Sequence, residues 1–104
     1  MYSGEVAFPH KDEIVAALRA AEPSIKKIFL FGSRARGDNL SSSADIDVGV
    51  LAEKKLSLWQ LERISAELEA LPSLYRVDLV DFTGRDDDFA REALGDMKVL
   101  YEKR

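Results

Sequence analysis

The chain lacks cysteine, carries one histidine and has no long apolar run, and each absence excludes a class of protein. Without cysteine, disulfide cross-links and thiolate metal sites are excluded. The one histidine, His10, lies near a predicted helix start, where we expect an exposed polar residue and not a general base. No apolar run approaches the roughly 18 residues that cross a bilayer, and no signal-peptide pattern opens the sequence. We therefore expect a cytoplasmic protein with no membrane association.

An excess of positive charge is also missing. The chain has 15 lysines and arginines against 19 acidic residues, a net charge of −4, and its adjacent basic pairs are confined to Lys26-Lys27, Lys54-Lys55 and Lys103-Arg104. A sequence-independent grip on DNA or RNA depends on clustered positive charge, so no direct nucleic-acid binding is expected. The composition, 46% hydrophobic and 33% charged over 104 residues, predicts one small globular domain spanning residues 1–104.

Hydrophobic periodicity predicts helices alternating with strands. Apolar residues recur with helical spacing from Ile14 to Ala21, and Pro23 ends that pattern. Runs rich in β-branched and aromatic residues predict four strands, at Ile25 to Phe31, Asp45 to Ala52, Tyr75 to Asp81 and Met97 to Tyr101. A further helix is predicted over Phe89 to Leu94. The order of elements predicts an α/β (α+β) domain with a small mixed β-sheet and helices packed on it.

The remaining helix has the clearest local signals. Ser57 followed by Gln60 forms a capping-box pattern, and Pro72 closes the helix. An apolar stripe is predicted to face the core, formed by Leu58, Leu61, Ile64, Leu68 and Leu71. Trp59 lies off that stripe, where it either packs under a loop or anchors a partner. The acidic run at positions 86–88 is read as a favourable helix N-terminus without a catalytic role.

The most informative stretch runs from Phe29 to Leu51, FLFGSRARGDNLSSSADIDVGVL. Gly32 allows a sharp turn and a close approach by a ligand after the first strand. Ser33 adds a hydroxyl and a free backbone N–H, as a phosphate site requires. Arg34 and Arg36 supply fixed positive charge suited to phosphate oxygens. This half of the stretch therefore predicts a phosphate-binding turn.

The other half predicts a metal site. Asp45 and Asp47 are two residues apart in a strand, so their side chains share a face and repel one another unless a cation lies between them. Asp78 comes from another strand that would lie beside them. Three carboxylates suit Mg²⁺ or Mn²⁺ better than zinc, and a nucleotide phosphate would complete the shell. Asp78 would either bind a second metal ion or take the proton of the acceptor hydroxyl.

These motifs resemble those of the minimal nucleotidyltransferase (MNT) family, in the DNA polymerase β-like superfamily. The resemblance rests on GSRARGD, the following ADID and the later VDLVD, and it spans nearly the whole chain. It implies a nucleotidyltransferase-like fold in which Gly32 and Ser33 hold the triphosphate and Arg36 supports it. It also implies that Asp45 and Asp47 hold the metal ions and that Asp78 is the third catalytic acid. Ala44 stands where family members usually have serine.

The resemblance also implies a setting. Stand-alone MNT proteins of this size are typically antitoxins that form a complex with a HEPN-family ribonuclease toxin, and some silence it by transferring AMP from ATP to a tyrosine. About a hundred residues leave little room for a dedicated acceptor pocket, which favours an acceptor on a partner protein. Two alternatives stay open: a module that neutralises its partner by binding alone, and a small-molecule nucleotidyltransferase acting on an antibiotic.

Overall fold

The computed structural model describes residues 11–32, 46–71 and 77–103. Within these residues the chain forms three helices and four strands. The helices are α1 (Lys11–Ala21), α2 (Leu58–Glu69) and α3 (Asp88–Gly95), and the strands are β1 (Ile25–Phe31), β2 (Ile46–Ala52), β3 (Val77–Asp81) and β4 (Lys98–Glu102). The predicted order of elements is confirmed in these ranges, with ends that differ from the predicted ones by at most three residues.

The strands form one mixed sheet in the order β3-β2-β1-β4. Strand β1 pairs antiparallel with both β2 and β4, whereas β2 and β3 are parallel. Parallel neighbours need a crossover connection, and α2 lies in the chain between β2 and β3. The predicted α/β (α+β) domain with a small mixed sheet is confirmed.

One face of the sheet packs against α1 and α2. Alternate residues of β1 and β2 point toward these helices, so the core on this side is aliphatic. Its most deeply buried members are Ile14, Leu18, Ile28, Leu30, Ile46, Val48, Val50 and Ile64. The apolar residues of α1 therefore face the core, as their helical spacing predicts.

The opposite face is aromatic and packs against α3. Phe29 and Phe31 project from β1, Phe82 follows β3, and the small side chains of Ala90 and Ala93 close over them. The intervening residue of β2 on this face is Gly49, where a Cβ atom would lie 2.5 Å from the ring of Phe29 and 2.8 Å from that of Phe82. Any larger residue at position 49 would have to displace both rings.

Helix α2 confirms the capping box and corrects the apolar stripe. The Ser57 hydroxyl accepts a hydrogen bond from the backbone N–H of Gln60, whose side-chain oxygen accepts one from the Ser57 N–H. Ile64 and Leu68 are buried as predicted, but the prediction for Leu58 is wrong, since it is 73% exposed. At about 100° per residue, six residues turn Leu58 roughly 120° away from Ile64. A repeated spacing of three therefore drifts off the buried face.

The acidic run before α3 has the structural role predicted for it. The Asp87 carboxylate accepts a hydrogen bond from the Ala90 N–H at 3.0 Å, which caps the helix. Arg91 forms ion pairs with Asp86 at 3.1 Å and Asp88 at 2.5 Å. Hydrogen bonds from Arg85 and from the Ala90 N–H hold the pKa of Asp87 below its ordinary value.

Within residues 11–32, 46–71 and 77–103, none of the helices is long and apolar enough to cross a membrane. The prediction for His10 lies outside the described residues.

Candidate active site

Asp47 and Asp78 lie side by side on the aromatic face of the sheet. Strands β2 and β3 are parallel, and their register pairs Asp47 with Asp78 directly. Partners in register point to the same face, and neighbouring strands are about 4.8 Å apart. Both residues are partly exposed. The two strands are thus the neighbours that the sequence interpretation required, while the catalytic roles of the two carboxylates stay predictions.

Gly32 brings the end of β1 against Asp47. It follows Phe31, which is the register partner of Asp47 on the antiparallel side. Its φ of +78° lies in the left-handed region that favours glycine. A Cβ atom at this position would lie 2.4 Å from Oδ2 of Asp47. Glycine is therefore required twice, by the backbone conformation and by the approach of the carboxylate.

Four residues of the predicted site lie outside the described residues: Ser33, Arg34, Arg36 and Asp45. Their predicted roles in phosphate and metal binding are not tested by the geometry. Asp45 precedes Asp47 by two residues in the sequence, immediately before the first residue of β2.

The donor atoms available at this face suit a hard divalent cation. In the described part of the chain, no three or more histidine, cysteine or acidic side chains form a group that could hold a metal ion. Asp47 and Asp78 form a pair, and Mg²⁺ typically takes one or two protein carboxylates together with substrate phosphates. Adjacent carboxylates repel one another, so a cation between them would remove that cost. The residues present fit Mg²⁺ or Mn²⁺ with a nucleotide.

The family comparison agrees with this geometry. A family model described as polymerase beta, nucleotidyltransferase matches residues 12–104. The chain belongs to this nucleotidyltransferase family. The match includes Gly32, which follows β1, and the strands β2 and β3, which carry Asp47 and Asp78. A search of curated proteins finds no match to this nucleotidyltransferase.

Solved structures with the same fold include toxin–antitoxin complexes. A toxin–antitoxin structure with AMP-PNP is 28% identical, with a TM-score of 0.72 and coverage of 90% of this chain and 74% of that chain. A complex of tri-AMPylated Shewanella oneidensis HEPN toxin with MNT antitoxin is 26% identical, with a TM-score of 0.62 and coverage of 90% and 71%. An MntA–HpeT toxin–antitoxin mutant with two aspartates replaced by glutamate is 26% identical, with a TM-score of 0.70 and coverage of 90% and 74%.

Another aspartate of β3 has a different environment. Oδ2 of Asp81 accepts a hydrogen bond from the Leu56 N–H at 2.8 Å, and Oδ1 accepts from the N–H and hydroxyl of Thr83 at 3.0 and 2.5 Å. The Thr83 hydroxyl oxygen in turn accepts from the Ala52 N–H at 2.8 Å. Asp81 therefore ties the end of β3 to the end of β2 and to the start of α2, which is a structural role.

The sequence analysis did not single out Glu22, which is 8% exposed. Its carboxylate accepts hydrogen bonds from the Ser24 hydroxyl at 2.7 Å and from the Gln60 side chain at 3.0 Å. The Ser24 hydroxyl is the main cause that lowers the pKa of Glu22; burial opposes it, and Gln60 and Arg63 add to it. Glu22 joins the end of α1 to the start of α2. No local pattern identifies the contact between the two helices, because Gln60 is 38 residues away in the chain.

Proposed function

We propose that this nucleotidyltransferase is an antitoxin that transfers AMP from ATP, with Mg²⁺, to a tyrosine of a partner HEPN-family ribonuclease toxin. The observation that carries the proposal is the direct register between Asp47 and Asp78, with Gly32 packed against the first of them. Two carboxylates and a tight glycine turn on one face of a sheet form a suitable support for a metal-bound triphosphate. Family membership supports transferase chemistry in general.

Each predicted residue has a part in this proposal. Asp45, Asp47 and Asp78 would hold Mg²⁺, or Mn²⁺ in its place. The triphosphate would be bound by the turn formed by Gly32, Ser33, Arg34 and Arg36. Arginine side chains and backbone N–H groups pair well with phosphate oxygens, and the glycine leaves room for the phosphates to approach the backbone.

The proposed transfer is a displacement at the α-phosphorus of ATP. The tyrosine oxygen forms a bond to that phosphorus, and the bond from phosphorus to the oxygen that bridges to the β-phosphate breaks. Pyrophosphate leaves with the electron pair, and Asp78 accepts the proton of the tyrosine hydroxyl. When bound, Mg²⁺ supplies positive charge that stabilises the negative charge developing on the phosphate oxygens. Asp47 would hold the nucleotide in line with the acceptor through that ion.

The nature of the partner is inferred from the structural relatives. One relative is a toxin–antitoxin structure with AMP-PNP, an ATP analogue, and another contains an AMPylated HEPN toxin bound to an MNT antitoxin. Both are more than 25% identical to this chain over 90% of its length. We therefore propose a hetero-oligomer with a HEPN toxin in the cytoplasm, where ATP and a ribonuclease's RNA substrate are both available.

The test uses ATP labelled at its α-phosphate. Purified protein and Mg²⁺ would be added with this ATP to a lysate of the source organism, with the Asp45→Asn/Asp47→Asn double variant as control. The proposal expects label on one protein band, absent with the variant, and on a tyrosine of that protein. Identification of the band as a HEPN ribonuclease would establish the partner.

Other outcomes would contradict particular parts of the proposal. Label on a small molecule or on RNA would replace the acceptor class. Neutralisation of the toxin that survives the double substitution, with no label on any protein, would show an antitoxin that acts by binding alone.

A further inference from the structure

An aromatic shelf lies beside the carboxylate pair. The shelf is formed by Phe31, Phe82 and Phe89, on the α3 side of the sheet. The rings of Phe31 and Phe82 meet edge to face, with centroids 5.1 Å apart. The ring of Phe89 meets Phe31 edge to face at 6.0 Å and stacks on Phe82 at 5.6 Å with an interplanar angle of 22°. These contacts fix the position of the Phe89 ring relative to the sheet.

The shelf is continuous with the candidate active site. Phe31 is the register partner of Asp47, and Gly32 follows it directly. Phe31 and Asp47 are on the same face, so the ring that borders the carboxylate is also the one that Phe89 contacts. One side chain thus separates Phe89 from Asp47. A triphosphate held at Gly32 and Asp47 would have its nucleoside within reach of the shelf.

Phe89 differs from the other two rings in its exposure. Phe31 and Phe82 are 6% and 1% exposed, whereas Phe89 is 48% exposed. About half of the Phe89 side chain is thus left open beyond its contacts with the other two rings, whereas Ala90 and Ala93 are the buried residues of α3. The guanidinium of Arg85 lies 5.2 Å from the centre of the Phe89 ring and 5.5 Å from that of Phe82. The guanidinium therefore lies over part of the exposed ring, and it is held there by an ion pair with Asp87 at 2.7 Å.

We propose that Phe89, together with the Arg85 guanidinium over its ring, is the platform on which the base of the bound nucleotide stacks. This inference rests on the proposed nucleotidyltransferase function and assigns the part of the site that binds the base. An exposed aromatic ring beside a phosphate site offers stacking to any base, since every base has a π-face. Purines present a larger face than pyrimidines, so ATP and GTP should bind more tightly than CTP and UTP.

The test separates binding of the base from binding of the phosphates. Calorimetry would measure two ligands in the presence of Mg²⁺: α,β-methylene ATP, which cannot be transferred, and inorganic tripolyphosphate, which has no base. The variant is Phe89→Leu, which keeps an apolar side chain against Phe31 and Phe82. The matched control is Trp59→Leu, which removes another exposed aromatic ring, on α2 and 70% exposed. Phe89→Trp tests rescue by a different stacking surface.

Phe89→Leu is expected to weaken binding of α,β-methylene ATP by roughly tenfold and to leave tripolyphosphate binding unchanged. Phe89→Trp should restore binding, and Trp59→Leu should change neither ligand. Equal affinity of the wild type and Phe89→Leu for the nucleotide would overturn the inference, as would an equal loss for both ligands. A wild-type protein that binds neither ligand would instead refute the proposed function, and the platform with it.

Discussion

Strand β3 carries two aspartates, Asp78 and Asp81, whose side chains lie on opposite faces of the sheet. Asp81 faces the helices α1 and α2 and accepts three hydrogen bonds from Leu56 and Thr83. Asp78 faces the other way and lies beside a second carboxylate, that of Asp47. One strand thus holds a carboxylate that ties the fold together and one that lies beside a second carboxylate in the candidate active site.

The same difference extends to the two faces. The face under α1 and α2 is lined by aliphatic side chains, and polar groups near it, such as Glu22 and Asp81, have matched donors. The other face combines phenylalanines, two adjacent carboxylates and glycines at positions where a Cβ atom would clash. The larger cluster of buried side chains lies on the first face, and the features that suit ligand binding lie on the second.

The largest effect is expected at Asp47. Asp47→Asn removes a charge from the proposed metal site, so AMP transfer should fall by about 10³-fold or more. The melting temperature should stay close to that of the wild type, because Asp47 is partly exposed and asparagine has nearly the same size and shape. Transfer measured with α-labelled ATP and thermal unfolding would be compared on the same preparation. Full activity of the Asp47→Asn variant would contradict the assignment of the active site to the aromatic face of the sheet.

Gly32→Ala tests the close approach to the carboxylate. The new Cβ atom would lie 2.4 Å from Oδ2 of Asp47, so the carboxylate has to move, and transfer should fall by about 10²-fold. The control is Gly84→Ala, where φ is +75° and no atom beyond the adjacent residues lies within 4 Å of the added Cβ. Both variants should lose about 1 kcal/mol of stability from the left-handed backbone. Equal transfer rates in the two would contradict a catalytic role for the Gly32–Asp47 contact.

Asp81→Asn should have the opposite consequences to Asp47→Asn. The amide nitrogen cannot accept the hydrogen bonds that the carboxylate accepts, so the free energy of unfolding should fall by about 1–3 kcal/mol. Transfer per folded molecule should be unchanged, since Asp81 lies on the far face. Urea unfolding and a transfer assay at a temperature where the variant is folded would check both. Loss of transfer in a folded Asp81→Asn protein would contradict a purely structural role for Asp81.

The smallest expected effect is on the pH dependence of stability, at Glu22. The pKa of Glu22 is lowered from 4.5, so its contribution to stability is present above the pKa of the unfolded chain and is lost as pH falls through the folded value. Urea unfolding followed from neutral pH down to about pH 3 should show a shallower loss of stability in Glu22→Gln than in the wild type. If the free energy of unfolding fell equally with pH in both proteins, Glu22 would not contribute to the loss of stability in acid.

The sequence predicted local elements better than long-range contacts. The bounds of β1 agree with the prediction because Pro23 and Gly32 limit a segment whose second half is continuously apolar. The Ser57–Gln60 capping box lies within four residues. The prediction for Leu58 failed because helical rotation accumulates over two turns.

The contacts that build the site were less accessible to sequence reasoning. Two aspartates on separate strands suggested a shared site, but the direct register of Asp47 with Asp78 depends on how β2 and β3 pair across an intervening helix. The approach of Gly32 to Asp47 and the position of Phe89 beside Phe31 likewise join residues that are far apart in the chain. Only the folded sheet brings them together.

The most direct test of the account is metal binding at the carboxylate pair. Electron paramagnetic resonance of Mn²⁺ with α,β-methylene ATP would be measured for the wild type, Asp47→Asn, Asp78→Asn and Asp81→Asn. The account predicts that the wild type and Asp81→Asn bind Mn²⁺ with the nucleotide and that the other two variants bind it much more weakly. Equal binding by all four proteins would contradict the assignment of Asp47 and Asp78 to a metal–nucleotide site.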